Sequence, residues 1–270
     1  MKQTLDYSKL GRQTRKTITE MVIAAGRGHV GSAFSIVETL LVLYESILQV
    51  DPKNPHWADR DRLILSKGHG CLALYPILSG LGFFPKEELL KYCKPDGILG
   101  GHPEHQKIPG VEASTGALGH GLSIGIGMAL AARMNRRDYG VYVIIGDGEC
   151  DEGSIWEGAL SASKHKLSNL TVIVDYNKQQ SYGDVSEVLP LEPFADKWRA
   201  FGFETLEAHM DHPKELEDIL KRPRGTSPRV VITHTIKGKG ISFIEKNLSW
   251  HHKGKLTPLE IENIFNELEI

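Results

Sequence analysis

Two short, continuously apolar runs in the middle of the chain most constrain its fold. Residues 141–145 (VYVII) and 170–174 (LTVIV) are rich in β-branched side chains, as expected of strands buried on both faces of a parallel sheet. Residues 154–166 between them have a helical pattern, which predicts a β-α-β unit with a right-handed crossover. Asp147 follows the first run and Asn177 follows the second. Ligands of such sheets bind outside the carboxyl ends of the strands, so we expect both side chains at a binding site.

The residues around Asp147 indicate what this site binds. Neighbouring strands lie about 4.8 Å apart, so one divalent cation could contact both Asp147 and Asn177. Mg²⁺ takes a few oxygen ligands from protein and completes its shell with phosphates and water. Gly146 and Gly148 would let the main chain approach a diphosphate, with their N–H groups facing its oxygens. The pattern therefore predicts a metal-anchored diphosphate, although an isolated aspartate at this position often serves only as a cap or turn residue.

Helical and strand patterns alternate along the rest of the chain. This alternation predicts a doubly wound, mainly parallel α/β sheet flanked by helices, in one domain over residues 1–270. Ser35 and Glu38 have the spacing of a capping box, and Thr257 is the expected N-cap of the last helix. Residues 95–119 are rich in Gly, Pro and His, which favours a loop that lines the site. Further strands are expected at 63–65, 204–208 and 229–235, and further helices at 8–27, 35–49, 71–81, from Pro85, at 123–134 and from Pro258.

Composition excludes several function classes. The 270 residues carry 32 Lys and Arg against 34 Asp and Glu, and this balance argues against a nucleic-acid partner. Three cysteines without metal-ligand spacing favour a reduced, cytoplasmic protein. The charged N-terminus does not have the pattern of a secretory signal, and no apolar run approaches the roughly 20 residues that span a bilayer. We therefore expect a soluble cytoplasmic protein with no membrane partner.

Six sequence blocks carry a family resemblance. Gly146-Asp147-Gly148 followed by Asn177 resembles the diphosphate-binding motif of thiamine diphosphate enzymes. The wider pattern, GDGExxEGSxWE, is similar to transketolase in particular. The other blocks follow in family order and are GHVG at 28–31, LSKGHG at 65–70, GHPE at 101–104, STGALGHG at 114–121 and WH at 250–251. The resemblance covers nearly the whole chain, and it implies ketol transfer with thiamine diphosphate and a divalent metal.

The resemblance implies roles for individual residues. The metal, Mg²⁺ or else Ca²⁺ or Mn²⁺, would be held by Asp147, Asn177 and the main-chain carbonyl of Gln179. Histidines suit proton transfers near neutral pH, and the expected catalytic histidines are His29, His69, His102 and His251. His69 would lie near the cofactor diphosphate and the reacting carbon, and the other three would surround the donor sugar. The expected cofactor-binding residues are Lys67, His69, Gly116, Leu118, Gly146, Asp147, Gly148, Glu152 and Asn177. Glu152 would also help the two halves of the active-site pair communicate.

Three positions stay open at this point. His252 directly follows His251, and only one of the two can face the site if the segment is extended. His120 stands where many transketolases have Gln, and it has no assigned role. Lys67 could contact the diphosphate or be solvated. The turn at 237–240 (KGKG) is expected to have a structural role near the site entrance.

The chain ends before the further domains of full-length transketolases, which include the pyrimidine-binding domain and its activating glutamate. The resemblance therefore implies the N-terminal subunit of a split transketolase that moves a two-carbon ketol unit from a ketose phosphate to an aldose phosphate. It also implies a C-terminal partner subunit, self-association and an α₂β₂ heterotetramer, with contacts through 123–134 and 147–153. The alternatives are a subunit similar to 1-deoxyxylulose-5-phosphate synthase, a 2-oxo acid-utilising enzyme, and a non-catalytic regulatory subunit.

Overall fold

A single parallel sheet organises the chain in the computed structural model, which describes residues 5–269. The strand order is β1-β2-β3-β5-β4, and every neighbouring pair is parallel. The strands are β1 (Arg62–Leu65), β2 (Val141–Gly146), β3 (Leu170–Tyr176), β4 (Glu204–His209) and β5 (Arg229–His234). The expected doubly wound α/β fold is therefore confirmed, and each expected strand is present to within two residues at either end.

Helices cover both faces of the sheet. They are α1 (Tyr7–Ala25), α2 (Val30–Phe34), α3 (Val37–Val42), α4 (Cys71–Leu81), α5 (Gly121–Met134), α6 (Gly153–Lys164), α7 (Val185–Val188), α8 (Phe194–Ala200), α9 (Pro213–Leu220) and α10 (Pro258–Glu269). Short 3₁₀ turns are formed by Gly68–Gly70, Lys86–Lys91, Gly148–Asp151 and Leu248–Trp250, and a π turn by Leu43–Ile47. No helix of the described part of the chain is long and apolar enough to cross a membrane.

The central strands are buried on both faces because successive side chains point to opposite sides. In β2, Val143 and Ile145 belong to the core under α5 and α6, whereas Ile144 belongs to the core under α1, α3 and α4. The same alternation runs through β3 and β5. This two-sided burial is the physical reason for the continuous apolar runs in the sequence.

The expected helix at 35–49 is present as a continuous helical segment over residues 37–47, in which α3 runs directly into the π turn, but its capping box does not form. The Ser35 hydroxyl donates to the carbonyl of Ser32 at 3.1 Å and to the Asp175 carboxylate at 2.7 Å. Glu38 instead forms a buried ion pair with Arg15 at 2.7 Å. Both polar side chains are thus committed to tertiary contacts. The N-cap expected at Thr257 is confirmed, because its hydroxyl accepts from the Glu260 N–H at 3.2 Å.

Candidate active site

A cavity of about 320 Å³ lies at the carboxyl ends of β1, β2, β3 and β5. Most of the residues that sequence analysis selected line it, although they come from separate segments of the chain. They are His29, Lys67, His69, His102, Leu118, Gly146, Asp147, Gly148, Asn177, Gln179 and His251. Six further lining residues had no assigned role at the site, namely Ser32, Glu149, Gln180, Ser181, Lys237 and His252.

Parallel pairing of β2 with β3 brings the oxygen donors together. Gly146 is opposite Asp175 in the register, so Asp147 and Asn177 leave the sheet side by side. The Asp147 carboxylate accepts main-chain N–H bonds from Gly148 at 2.7 Å and Lys178 at 2.5 Å. The Asn177 side-chain oxygen accepts from the Gln179 N–H at 3.0 Å. These bonds orient the side-chain oxygens without occupying all of their lone pairs.

These donors fit a hard divalent cation that is partly coordinated by its ligand. Burial and the nearby Asp175 raise the pKa of Asp147 to about 7. A pKa raised in this way is expected of a buried carboxylate that has no strong cationic partner. Within residues 5–269, no group of three or more His, Cys, Asp or Glu side chains could hold a metal. One carboxylate, one amide and one carbonyl form an incomplete set that phosphate oxygens would complete.

Lys237 is the main cation of this cavity, which is called the inner cavity below. It is buried, and its ammonium donates to the carbonyls of Gln179 and Gln180, each at 3.1 Å. Burial, followed by the charge of Lys67, lowers the pKa of Lys237 to about 8. A structural role was expected for the 237–240 turn, but Lys237, its first residue, lines the cavity. A lysine shortly after the end of β5 was the signal available in the sequence, because that end of the sheet faces the site.

Lys67 is buried at the floor of the cavity and pairs with Asp175. The Lys67 ammonium donates to the Asp175 carboxylate and to the Ser32 carbonyl, the latter at 3.2 Å. Asp175 also accepts from the Asn177 side-chain amide at 2.8 Å and from the Thr235 hydroxyl. Burial raises the pKa of Asp175, but Lys67 and the hydroxyls of Thr235 and Ser35 together hold it below its ordinary value. Lys67 is therefore neither solvated nor without a partner in the protein.

Glu149 connects the loops that surround the cavity. Its carboxylate accepts the Gly119 N–H at 2.9 Å, the Gly146 N–H at 3.1 Å and the Ser66 hydroxyl. The loops after β1 and β2 and the loop before α5 are thereby held to one buried group. The expectation that the N–H groups of Gly146 and Gly148 face phosphate oxygens is wrong, because Glu149 and Asp147 accept them.

The four histidines expected to be catalytic form one cluster with His29 at its centre. The ring centroid of His29 lies 5.6 Å from that of His69, 6.0 Å from that of His102 and 5.9 Å from that of His251. Burial, together with neighbouring positive charge, lowers the pKa of His29 to about 4 and that of His251 to about 3. Burial also lowers the pKa values of His69 and His102. These rings are neutral near pH 7, so each offers one hydrogen-bond donor and one acceptor.

His252 belongs to the cluster as well as His251. The segment is a turn rather than an extended strand, so consecutive side chains reach the same space. The His252 ring lies 4.7 Å from the His29 ring and 4.4 Å from the His251 ring. The choice between His251 and His252 does not arise, because both line the cavity.

Two residues expected to bind the cofactor lie outside the lining of the cavity. Gly116 packs against the His102 ring, and a Cβ at this position would lie 2.9 Å from that ring. Glu152 is exposed and lies beside Gly119, where a Cβ on the glycine would come within 2.8 Å of it. His120 is exposed as well and borders a separate surface depression near Ile124.

Comparisons with known proteins identify the family of this chain. Residues 8–268 match the family model described as transketolase, thiamine diphosphate binding domain. The chain is 44% identical over 245 residues to one of the apulose-4-phosphate transketolase subunits of Phocaeicola vulgatus, covering 89% of this chain and 86% of that protein. It is 43% identical over 258 residues to the 6-deoxy-6-sulfo-D-fructose transketolase subunit SqwG of a Clostridium species, covering 94% of this chain and 93% of that protein.

Larger relatives match over part of their length. The transketolase structure from Leishmania mexicana superposes with a TM-score of 0.90 at 27% identity, covering 99% of this chain. This chain spans 42% of that protein and 39% of human transketolase, to which it is 35% identical over 250 residues. The match thus extends over nearly all of this chain and less than half of the larger proteins.

Proposed function

Because the chain belongs to the transketolase family, as its thiamine diphosphate-binding domain, we propose that it is the N-terminal subunit of a two-chain transketolase. The complex would transfer a two-carbon ketol unit from a ketose phosphate to an aldose phosphate. One observation carries this proposal: oxygen donors suited to a divalent metal and a cluster of neutral histidines share one cavity.

The inner end of the cavity would hold the metal and the cofactor diphosphate. Asp147, Asn177 and the Gln179 carbonyl are the proposed ligands of Mg²⁺, with Ca²⁺ or Mn²⁺ as substitutes. Lys237 would contact the diphosphate, since it is a buried cation that lines the cavity beside these donors. Thiamine diphosphate supplies carbanion stabilisation, which no side chain of the protein provides. Lys67 is proposed to act indirectly, because its ammonium is bound to Asp175.

The histidines would handle the hydroxyl and carbonyl oxygens of the sugar. A neutral imidazole can accept a proton from a hydroxyl group at one nitrogen while its N–H donates to an oxygen at the other. His69 is closest in the chain to the β1 end and would lie nearest the reacting carbon. The rings of His29 and His251 lie beside His69, with centroids 5.6 and 5.8 Å from its own, and the His102 ring lies 6.0 Å from that of His29. These three histidines would hold the donor in position.

We propose that the pyrimidine-binding domain and activating glutamate come from a partner chain. The names of the two relatives described as transketolase subunits support this inference. We propose an α₂β₂ heterotetramer in which α5 and the loop after β2 form contacts. Gly125 packs α5 onto the sheet, where a Cβ would lie 2.5 Å from Val143, but Ile124 and Gly127 on the opposite face are exposed. Glu152 lies at the same surface and would act between the two halves.

The competing proposal is that the chain is a non-catalytic subunit that binds the cofactor. It predicts cofactor binding without any contribution of the histidines to turnover. Buried neutral histidines have a desolvation cost when protonated, and a cluster of five beside oxygen donors has no evident structural purpose. The cytoplasmic location stays a prediction from the sequence.

The test is reconstitution with a candidate partner that carries the pyrimidine-binding domain. Ketol transfer would be assayed with thiamine diphosphate and Mg²⁺, for the wild-type chain and for His69→Ala. The proposal predicts transfer by the wild-type complex and a loss of about 10²-fold or more in the variant. Cofactor binding with no transfer for any ketose would favour the non-catalytic alternative.

A further inference from the structure

The loop that follows α1 and the turn that follows Trp250 are joined by a small antiparallel bridge. Gly28 and Lys253 exchange main-chain hydrogen bonds at 3.0 and 3.1 Å. Gly26 ends α1 in the left-handed conformation, which directs Arg27 away from the helix and into the bridge. The main chain on both sides of Arg27 is therefore fixed.

This bridge decides which side chains share a face. Side chains alternate along extended segments, so Arg27 and His29 lie on one face while Gly28 faces the other way. On the opposite segment, His252 and Gly254 flank Lys253 and lie on the same face as Arg27. Contacts agree with this assignment, since the rings of His29 and His252 are 4.7 Å apart and a Cβ on Gly28 would meet Leu72 in the core. Gly254, which is opposite Arg27, has open space where a side chain would be.

Arg27, His29 and His252 line an outer cavity of about 440 Å³ that also contains His102 and Lys253. Three histidines, His29, His102 and His252, line this outer cavity and the inner cavity alike. The two spaces are therefore continuous through the histidine cluster. A molecule whose reacting end lies beside His69 would extend past His29 toward Arg27.

Arg27 supplies the available positive charge of the outer cavity. Lys253 is committed elsewhere, because its ammonium lies 2.6 Å from the Glu260 carboxylate and 4.4 Å from the Trp250 ring centroid. Arg27 is exposed and forms no ion pair with any carboxylate of residues 5–269. No carboxylate lines the outer cavity in this part of the chain.

We infer that Arg27 binds the anionic terminus of the ketose donor and sets its preference for a charged over a neutral sugar. A planar guanidinium can donate two parallel hydrogen bonds to an oxyanion, which an ammonium cannot do. Glycine at position 254 leaves room for the terminal group. This inference rests on the proposed ketol transfer. It places recognition of the donor's anionic terminus, at least in part, in the present chain.

The experiment compares a phosphorylated ketose donor with the same ketose lacking its phosphate, in the complex reconstituted with its partner. For the wild-type complex we expect a higher kcat/KM with the phosphorylated donor. Arg27→Gln should raise KM for this donor by about 10- to 100-fold, the loss expected for hydrogen bonds to a charged group. The kinetic constants of Arg27→Gln for the neutral donor should stay within about twofold of the wild-type values, because this donor has no charged group for Arg27 to bind.

Two further variants test whether the effect is specific. Arg27→Lys keeps the charge and should recover part of the lost preference. Lys255→Gln removes an exposed positive charge two residues beyond the bridge, outside the outer cavity, and should leave the preference unchanged. Equal losses for both donors in Arg27→Gln, or no preference in the wild-type complex, would overturn the inference while ketol transfer itself stood. Absence of transfer with every ketose would instead overturn the proposed function, and this inference with it.

Discussion

The ammonium of Lys67 and the carboxylate of Asp175 form an ion pair at the floor of the active-site cavity, with both side chains at most 2% exposed. Asp175 also accepts the Asn177 side-chain amide at 2.8 Å. This bond fixes which end of the Asn177 carboxamide carries the oxygen toward the proposed metal position. One buried pair therefore sets the orientation of a ligand that lies closer to the cavity.

Breaking this pair should destabilise the chain strongly. Lys67→Met leaves Asp175 buried without its cation, and we expect a loss of ~3–5 kcal/mol in the free energy of unfolding. The double variant Lys67→Met with Asp175→Asn should lose less, because no uncompensated charge stays buried. Denaturant unfolding of both variants measures this, with the exposed Lys164→Met as control. A single variant as stable as the control would show that the pair contributes little.

Removal of the donor-handling histidines should separate turnover from cofactor affinity. We expect His29→Ala and His102→Ala to lower kcat of the reconstituted complex by about 10²- to 10⁴-fold. Neither ring is hydrogen-bonded to the oxygen donors of the inner cavity, so affinity for thiamine diphosphate should change little. Steady-state kinetics and calorimetric titration give the two quantities, and the exposed His56→Ala is the control. Near-normal turnover in both variants would mean that these histidines are structural.

Removal of the proposed metal ligands should abolish cofactor binding, in contrast to removal of the histidines. Asp147→Ala and Asn177→Ala should abolish Mg²⁺-dependent binding of thiamine diphosphate, measured by calorimetry with and without a chelator. Asp147→Ala should change the free energy of unfolding little, because the Gly148 and Lys178 N–H groups that lose their acceptor are only partly buried and because removal of a buried carboxylate relieves its desolvation. The exposed Asp196→Ala should change neither property. Unchanged cofactor affinity in both site variants would remove the metal assignment.

The histidine cluster predicts a pH dependence of stability for the metal-free chain. Folding lowers the pKa of His29 to about 4 and that of His251 to about 3, from 6.5 in the unfolded chain. Between these values the unfolded state binds more protons than the folded state, so stability falls as the pH is lowered from about 6.5 toward 4. Replacing both rings by Gln should flatten this part of the profile, and His56→Gln should not. Urea unfolding across this range provides the test, and identical slopes for the wild type and the double variant would contradict it.

The sequence predicted the parts of the site that follow directly from strand ends. Apolar runs located β2 and β3, and parallel pairing then brought Asp147 and Asn177 together. The partner of Lys67 could not be identified in this way. Asp175 is 108 residues from Lys67 in sequence and lies inside β3, so their contact depends on strand order and register. Those two properties are determined by the packing of the whole sheet.

Local conformation accounts for the other differences. An extended segment would allow only one of His251 and His252 to face the site, whereas the segment forms a turn and both face it. Glu149 belongs to the GDGE motif, but its role is not visible in the sequence. Its three hydrogen-bond donors come from Ser66, Gly119 and Gly146, which come together only after folding. The capping box at Ser35 failed because a buried carboxylate, Asp175, competes for its hydroxyl.

The central claim, that this chain is one half of a two-chain transketolase, is tested most directly by titrating it with the partner subunit. At a fixed concentration of this chain, with thiamine diphosphate and Mg²⁺ present, ketol transfer and mass in solution are measured as partner is added. We predict no transfer by the chain alone, and activity that rises to a plateau at one partner per chain, where the mass corresponds to α₂β₂. Ketol transfer by this chain without any partner would contradict the account.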